Sequence, residues 1–247
     1  MFFTPRWFAS HLFAASLVVA FVIAGLWQVN RLGERLDQNA LVESRLGEVV
    51  TLASVTDDPV ESLEFRRVQV AGSFVADSQI LIANRSREGT PGFWMWTTFR
   101  TDVGDILVNR GFVSRDIILG TAQLVPSETI EPSRGQIIIE GLLREGFDQA
   151  NLSELGDQLS RPDAATAAEV LGLRTALDPS IYLQLQVQEP PLSQEWPQVL
   201  PLPDLGEGPH RSYAFQWFTF ATIGTIGYGL LLRRIKRGDQ TRGDVPV

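Results

Sequence analysis

Apolar residues form two long runs, one near each end of the chain. Residues 7–29 (WFASHLFAASLVVAFVIAGLWQV) and 213–232 (YAFQWFTFATIGTIGYGLLL) carry no formal charge. A helix of about 20 apolar residues crosses the roughly 30 Å hydrocarbon core of a bilayer, so both runs are predicted to be transmembrane helices rather than buried core helices. The first run exceeds the usual core of a signal peptide and ends without a small-x-small site, which favours an uncleaved anchor.

Between the runs, strand-like alternation dominates. Residues 31–46 have a helical period that continues the first span outward. About six strands are predicted: an antiparallel hairpin over 66–75 and 78–85, a second pair over 91–100 and 105–113, and later strands over 135–145 and 181–189. A short helix is predicted over 163–173, followed by a proline-rich extended stretch over 189–209. The pattern predicts an α+β membrane protein with two transmembrane helices flanking a β-rich, antiparallel, barrel-like extracytoplasmic domain.

Charge predicts the orientation of the chain. Five basic residues follow Leu232, and the positive-inside rule places them in the cytoplasm. Residues 30–212 hold 15 arginines against 27 acidic residues, which predicts an acidic domain on the opposite side. The predicted boundaries are a cytoplasmic N-terminus (1–6), a first span (7–29), the extracytoplasmic domain (30–212), a second span (213–232) and a basic cytoplasmic tail (233–247). With no Arg- and Ser-rich transit sequence, a bacterial plasma membrane is the predicted location, with two passes and both termini cytoplasmic.

Composition narrows the chemistry. The chain has no cysteine, which excludes thiolate nucleophiles, iron–sulfur clusters and zinc–thiolate sites. A net charge of -8 argues against a nucleic-acid partner. Membrane lipid is a predicted partner because of the two apolar runs. The two histidines, His11 and His210, lie at the edges of the spans, and the carboxylates are scattered over polar loops. The sequence therefore predicts a protein that is not an enzyme.

The candidate site lies where the two spans leave the membrane. In an antiparallel hairpin, GLWQVNR (25–31) faces HRSYAFQWF (210–218) at the same depth. An imidazole beside aromatic rings and arginines is what a haem with propionates requires. A histidine that only anchors the helix end, within an interfacial aromatic belt, explains the same residues. The candidate cofactor-binding residues are His210 as ligand of the haem iron, with Trp27, Gln28, Arg31, Arg211, Tyr213 and Trp217.

Small residues four apart predict how the spans pack together. The rows are Ser16, Ala20 and Ala24 in the first span and Ala221, Thr225 and Gly229 in the second. His11 lies about 24 Å below the outer end of its helix, at about 1.5 Å per residue. It is therefore too far from His210 to share an ion with it. His11 is predicted to be a headgroup-level residue or a polar contact rather than a cofactor ligand.

Six motifs in order between the two runs resemble the surfeit locus protein 1 family, whose members are assembly factors for cytochrome c oxidase. The motifs are GLWQVNR (25–31), FRRVQVAGSF (65–74), PGFWMWTTF (91–99), ILVNRGFV (106–113), IEGLLREG (139–146) and HRSYAFQWFTFA (210–221). The chain departs from the family pattern at Thr98 and Ser114, where members often carry proline. Both positions are at predicted strand ends.

The resemblance implies a function. It implies that the protein binds haem a and helps insert it into oxidase subunit I, with that subunit and the haem a synthesis machinery as partners. The family's histidine matches His210, and its Trp-Gln and Arg match Trp27, Gln28 and Arg31. Its Asn-Arg-Gly matches residues 109–111, which form either a strand-end turn or a contact with the membrane-proximal helices or a partner. The alternative function is a cofactor-free membrane scaffold that stabilises oxidase assembly intermediates.

Overall fold

The computed structural model describes residues 4–120, 130–153, 157–191 and 195–243, with side chains up to residue 237. The chain divides into a helix unit, residues 1–41 and 204–247, and a sheet unit, residues 42–203. In chain order the elements are α1 (Pro5–Leu46), β1 (Val49–Thr51), a 3-10 turn (Leu52–Val55), α2 (Val60–Leu63), β2 (Arg67–Arg87), β3 (Thr90–Arg100), β4 (Asp105–Ser114), α3 (Arg115–Ile118), β5 (Ile137–Glu145), β6 (Gln158–Leu159), α4 (Ala164–Val170), β7 (Ile181–Glu189) and α5 (His210–Gly243).

The first predicted hairpin is wrong. The stretches 66–75 and 78–85 do not pair with each other, because together they form most of β2, a single strand of 21 residues. Its register against β3 shifts between Phe74 and Gln79, and Asp77 in this interval has a φ of 58°. Such a bulge bends a strand without reversing it. The polar residues that were predicted to form a turn are therefore a β-bulge.

The later elements agree better with the sequence. β3 and β4 form the predicted antiparallel pair, and β5 pairs antiparallel with β7. α4 lies inside the predicted helical stretch 163–173, and Asp163 caps it by accepting a hydrogen bond from the backbone N–H of Thr166. The predicted β3–β4 pair and the predicted helix are therefore confirmed. Both predictions succeeded because a turn or a capping residue marks where each element begins or ends.

The sheet is mixed, which corrects the prediction of an antiparallel domain. The pairs β1–β2, β2–β6 and β4–β7 are parallel. Because β2 pairs with both β3 and β5, the pairings run β2–β3–β4–β7–β5 and return to β2. The long connection from β4 to β7 supplies the crossover that a parallel pair requires. Sequence alternation reveals the strands but not which strand β7 will join.

Two apolar clusters form the core of the sheet unit. The first includes Val68, Val108 and Leu183, contributed by β2, β4 and β7. In the second, the rings of Trp96 and Tyr182 lie 4.5 Å apart between centroids. Burial raises the pKa of the Tyr182 hydroxyl to about 12, so this side chain is a neutral core residue at physiological pH.

The Asn-Arg-Gly motif lies inside β4. The register shifts around Arg110, so that Trp96 of β3 faces Asn109 while Arg110 has no Cα partner in that ladder. Gly111 has a φ of 131°, and a Cβ there would lie 2.2 Å from the carbonyl oxygen of Gln198. Only glycine fits this close approach at positive φ. The predicted strand-end turn is therefore wrong, and the motif is a bulge within a buried strand.

In the helix unit, α1 and α5 pack antiparallel, as predicted. Phe21 stacks on Trp217 with ring centroids 5.8 Å apart, and the ring of Phe218 packs against Gly25. Each helix contains a stretch that is long and apolar enough to cross a membrane, within Pro5–Leu46 and His210–Arg237. The limits of the two spans stay predictions.

The predicted rows of small residues form only part of the packing seam. Ala24 is half-buried and Ala221 is buried, but Ser16, Ala20, Thr225 and Gly229 are exposed. Rows spaced by four rotate about 40° around a helix at each step and so leave the partner helix. Alternating steps of three and four stay on the contact face. In α1 the residues that meet α5 follow this second spacing: His11, Val18, Phe21, Gly25 and Gln28.

Candidate functional site

His210 and Gln28 are hydrogen-bonded to each other. His210 Nδ1 lies 2.9 Å from Gln28 Oε1, across the seam between α5 and α1. Gln28 is 9% exposed and His210 is half-buried. Because a carbonyl oxygen only accepts hydrogen bonds, Nδ1 carries the proton in the neutral imidazole, and in that form Nε2 has the lone pair. The pair therefore holds one tautomer of the imidazole, with Nε2 as the ligating or accepting nitrogen.

The chain before α5 passes close to the imidazole of His210. Pro209 precedes the helix, and its carbonyl accepts a hydrogen bond from the N–H of Tyr213 in the first turn. Gly208 has a φ of 69°, and a Cβ there would lie 3.7 Å from His210 Nε2, an ordinary van der Waals distance. Glycine is favoured at this position because other residues rarely adopt a positive φ.

Two polar residues of α1 bind the segment 204–206, which leads into α5. Neither was predicted from the sequence as part of the site. Arg35 donates to the carbonyls of Asp204 (2.7 Å) and Gly206 (3.2 Å). Asn39 Nδ2 donates to the carbonyl of Leu205 at 2.6 Å. Arg35 and Asn39 lie 7 and 11 residues beyond Gln28, on the same seam at heptad spacing. That spacing was the signal available in the sequence.

The other predicted residues lie near this pair but take no part in its hydrogen bond. Trp27 and Tyr213 are 60% and 47% exposed. Trp217 is packed on Phe21, deeper along the seam. Arg31 forms a surface ion pair with Glu34 at 2.6 Å, and Arg211 is exposed. The structure therefore joins Gln28 and His210 and leaves two aromatic rings and two arginines uncovered at the same end of the helices.

His11 lies at the opposite end of the helix pair. Its Nδ1 is 2.7 Å from the hydroxyl of Tyr228, and the two rings meet edge to face. This contact links the two helices and is the polar contact that was one of the two predictions for His11. His11 and His210 have separate partners about 17 residues apart along α1, or roughly 25 Å.

The arrangement at His210 offers one directed lone pair. A haem needs only one protein nitrogen on a face of its iron, because the macrocycle supplies the other four ligands. A histidine that binds a metal through one ring nitrogen usually donates a hydrogen bond from the other, to a carboxylate, a carbonyl oxygen or water. Gln28 Oε1 is such an acceptor for His210 Nδ1. The Gln28–His210 pair would therefore present one oriented imidazole nitrogen to a metal such as haem iron.

Comparison with known proteins places the chain in a family. A model of the SURF1 family matches residues 15–222. A SURF1-like protein of Rickettsia bellii is 26% identical over 245 residues, which cover 92% of each chain. An uncharacterized SURF1-like protein of Mycobacterium tuberculosis is 26% identical over 245 residues, covering 91% of this chain and 83% of that protein. The cytochrome oxidase assembly protein Shy1 of Saccharomyces cerevisiae is 32% identical over 103 residues, covering 40% of this chain and 26% of that protein. The chain thus belongs to the SURF1 family, the surfeit locus protein 1 family that its motifs resemble.

Proposed function

We propose that this protein is a membrane-bound assembly factor for cytochrome c oxidase that binds haem a as cargo and assists its insertion into subunit I. The observation that carries the proposal is the hydrogen bond from His210 Nδ1 to Gln28 Oε1, which leaves Nε2 ready to bind iron. Membership of the family and the name of the yeast relative support the link to the oxidase. Partners under this proposal are subunit I and the proteins that synthesise haem a.

The residues at the site fit such a cargo. His210 Nε2 would bind the iron, and Gln28 would hold the ring in place. The uncovered rings of Trp27 and Tyr213 provide flat apolar surface, and Arg31 and Arg211 provide guanidinium groups for the propionates. The surface pair of Arg31 with Glu34 is solvent-exposed and is therefore weak enough to exchange for a propionate.

We also propose the membrane arrangement that this function requires. The spans are residues 7–29 and 213–232 in a bacterial plasma membrane, with both termini cytoplasmic and residues 30–212 outside the cytoplasm. Under this arrangement the Gln28–His210 pair lies at the outer surface of the membrane. Labelling of single introduced cysteines at residues 4 and 240, and at a loop position of the sheet unit, with a membrane-impermeant reagent would test it.

Haem binding is tested with the full chain co-expressed with haem a synthesis and purified in detergent. We expect haem a to co-purify, and His210→Ala to lose its Soret absorbance and bound haem. Added imidazole should restore part of the absorbance, because it replaces the missing ligand.

The alternative, a cofactor-free scaffold, predicts the opposite results. Under it, no haem co-purifies with the wild-type chain, and His210→Ala supports oxidase assembly as well as the wild type does. Unchanged haem content and Soret position in His210→Ala would overturn the ligand assignment even if haem a is present.

A further inference from the structure

An apolar groove follows the contact between α1 and α5 in the helix unit. Its volume is about 670 Å³, and both helices line it, with Ala14, Leu17, Phe21, Gly224 and Gly227 among the lining residues. None of the described residues along the groove carries a charge. The two glycines lower one wall to the level of the backbone, which lets a neighbouring chain lie close to the helix. The groove therefore suits a long apolar group.

The hydroxyl groups in the groove already have partners. The hydroxyl of Ser10 donates to the carbonyl of Arg6 at 3.1 Å, and the hydroxyl of Tyr228 lies 2.7 Å from His11 Nδ1. These hydrogen bonds leave little for the polar groups of a ligand to pair with. The wall of the groove therefore favours a hydrocarbon chain over a polar molecule.

The groove lies on the same face of the helix pair as the hydrogen bond between Gln28 and His210. On α1, Phe21 lies one heptad before Gln28, and on α5, Gly224 lies two heptads after His210. Residues one heptad apart point in nearly the same direction, with a drift of about 20°. The ring of Phe21 forms the end of the groove nearest to His210, where it stacks on Trp217. The groove therefore adjoins the proposed haem site.

The length of the groove matches the chain that distinguishes haem a from haem b. At about 1.5 Å per residue, Phe21 is about 10 Å along the helix from Gln28, and Gly224 is about 21 Å from His210. Haem a carries a hydroxyethylfarnesyl chain, whose extended length is about 17 Å at roughly 1.25 Å per carbon–carbon bond. A chain that starts at the edge of a macrocycle bound at His210 therefore reaches past Phe21 to Gly224. Its one hydroxyl group lies next to the macrocycle, outside the groove.

We propose that this groove binds the farnesyl chain of haem a and thereby selects haems that carry this chain over haem b. The inference rests on the proposed binding of haem at His210 and goes beyond it, because an imidazole nitrogen binds the iron of either haem. His210 supplies the affinity for iron, and the groove supplies the specificity. In a membrane the gain comes from close packing of the chain against the two helices, since the surrounding lipid is as apolar as the groove.

Haem o tests the groove because it carries the same chain as haem a but is otherwise identical to haem b. The full chain, purified in detergent without haem, is titrated with haem b, haem o and haem a, and binding is followed by Soret absorbance. We expect haem o and haem a to bind about 10-fold more tightly than haem b. The detergent micelle also takes up the farnesyl chain. The decisive measurement is therefore how the ratio of the haem o and haem b affinities changes between variants.

Gly224→Leu fills the part of the groove that the end of the farnesyl chain reaches. A Cβ at Gly224 would lie 3.5 Å from Val18 Cγ2, an ordinary van der Waals distance, so leucine fits on the helix. We expect the affinity for haem o to fall about 10-fold and the affinity for haem b to stay within about two-fold. If this variant does not fold, Leu17→Trp on the facing wall should lower the same ratio.

Gly229→Leu is the matched control. Gly229 also lies on α5, but it is exposed and does not line the groove, and a Cβ there would meet no described atom within 4 Å. Its replacement adds the same side chain to the same helix and should leave the affinities for all three haems within about two-fold.

Three results would overturn the inference while haem still binds. An unchanged affinity ratio in Gly224→Leu would mean that lipid or another helix occupies the groove. Equal losses of haem o and haem b in Gly224→Leu would mean that leucine disturbs His210 rather than the farnesyl chain. An equal fall in the ratio in Gly229→Leu would mean a general effect of apolar bulk on α5. Failure of the wild-type chain to bind any of the three haems would instead overturn the proposed function, and the inference with it.

Discussion

Replacing Gln28 by leucine is expected to lower the affinity for haem a about 10- to 100-fold, although Gln28 is not itself a ligand. Gln28 Oε1 accepts a hydrogen bond from His210 Nδ1 at 2.9 Å. Leucine has a similar volume but cannot accept this hydrogen bond, so the ring loses both its fixed orientation and its preference for a free Nε2. Haem content after purification and haem titration of the apoprotein would measure the change.

Gln216→Leu is the matched control. Gln216 is another glutamine near this end of the helices, and it is exposed. Its replacement removes the same functional group and should leave haem affinity within about two-fold. Gln28→Glu keeps an acceptor and should retain most of the affinity. Equal losses in Gln28→Leu and Gln216→Leu, or no loss in either, would contradict the role of Gln28.

The sequence predicts the helices well because their signals are local. The uncharged runs fix the existence and direction of α1 and α5, and an antiparallel pair must bring Gln28 to the level of His210. The seam between the helices was predicted only in part. Ala221 is buried as its row requires, but Ser16 and Ala20 are exposed, and the rings of Phe21 and Trp217 stack on each other in the contact.

The sheet unit was harder to predict because its pairing is not local. Residues 75–78 have the composition of a turn, and only tertiary pairing shows that β2 continues through them as a bulge. The parallel pair of β4 and β7 joins residues about 75 positions apart. The alternation of apolar and polar residues in each strand does not indicate which strand it pairs with. The hydrogen bonds of Arg35 and Asn39 to residues 204 and 205 join positions even farther apart, at 169 and 166 residues.

Arg110 is a clear example of a sequence motif whose role depends on distant residues. The guanidinium group donates to the carbonyls of Ile130 (2.8 Å) and Glu131 (3.0 Å), and it lies 5.5 Å from the centre of the Phe74 ring. The side chain is 1% exposed. Burial lowers the pKa of Arg110 to about 10, so the group is still a cation at neutral pH. A charge so deeply buried is tolerated because its donors are used inside the sheet unit.

Arg110→Met is therefore expected to lower the free energy of unfolding by about 2–5 kcal/mol. Methionine fills much of the space, but it removes both hydrogen bonds of the charged donor, each worth about 1.5–3 kcal/mol. The acceptors belong to half-buried Ile130 and exposed Glu131, so water can replace part of this loss. Arg110→Lys should lose nearly as much, because a single ammonium group does not reproduce the planar fork that reaches both carbonyls. Thermal and urea unfolding of the full chain in detergent, followed by tryptophan fluorescence, would measure the loss.

Arg134→Met separates this effect from the loss of a positive charge. Arg134 is exposed, so its replacement should change the free energy of unfolding by less than about 0.5 kcal/mol. A small effect of Arg110→Met, similar to that of Arg134→Met, would mean that the two carbonyls find other donors and would contradict a stabilising role of Arg110. A large effect on unfolding with haem content unchanged at 4 °C would assign Arg110 to the stability of the sheet unit, because the hydrogen bond between Gln28 and His210 lies entirely within the helix unit.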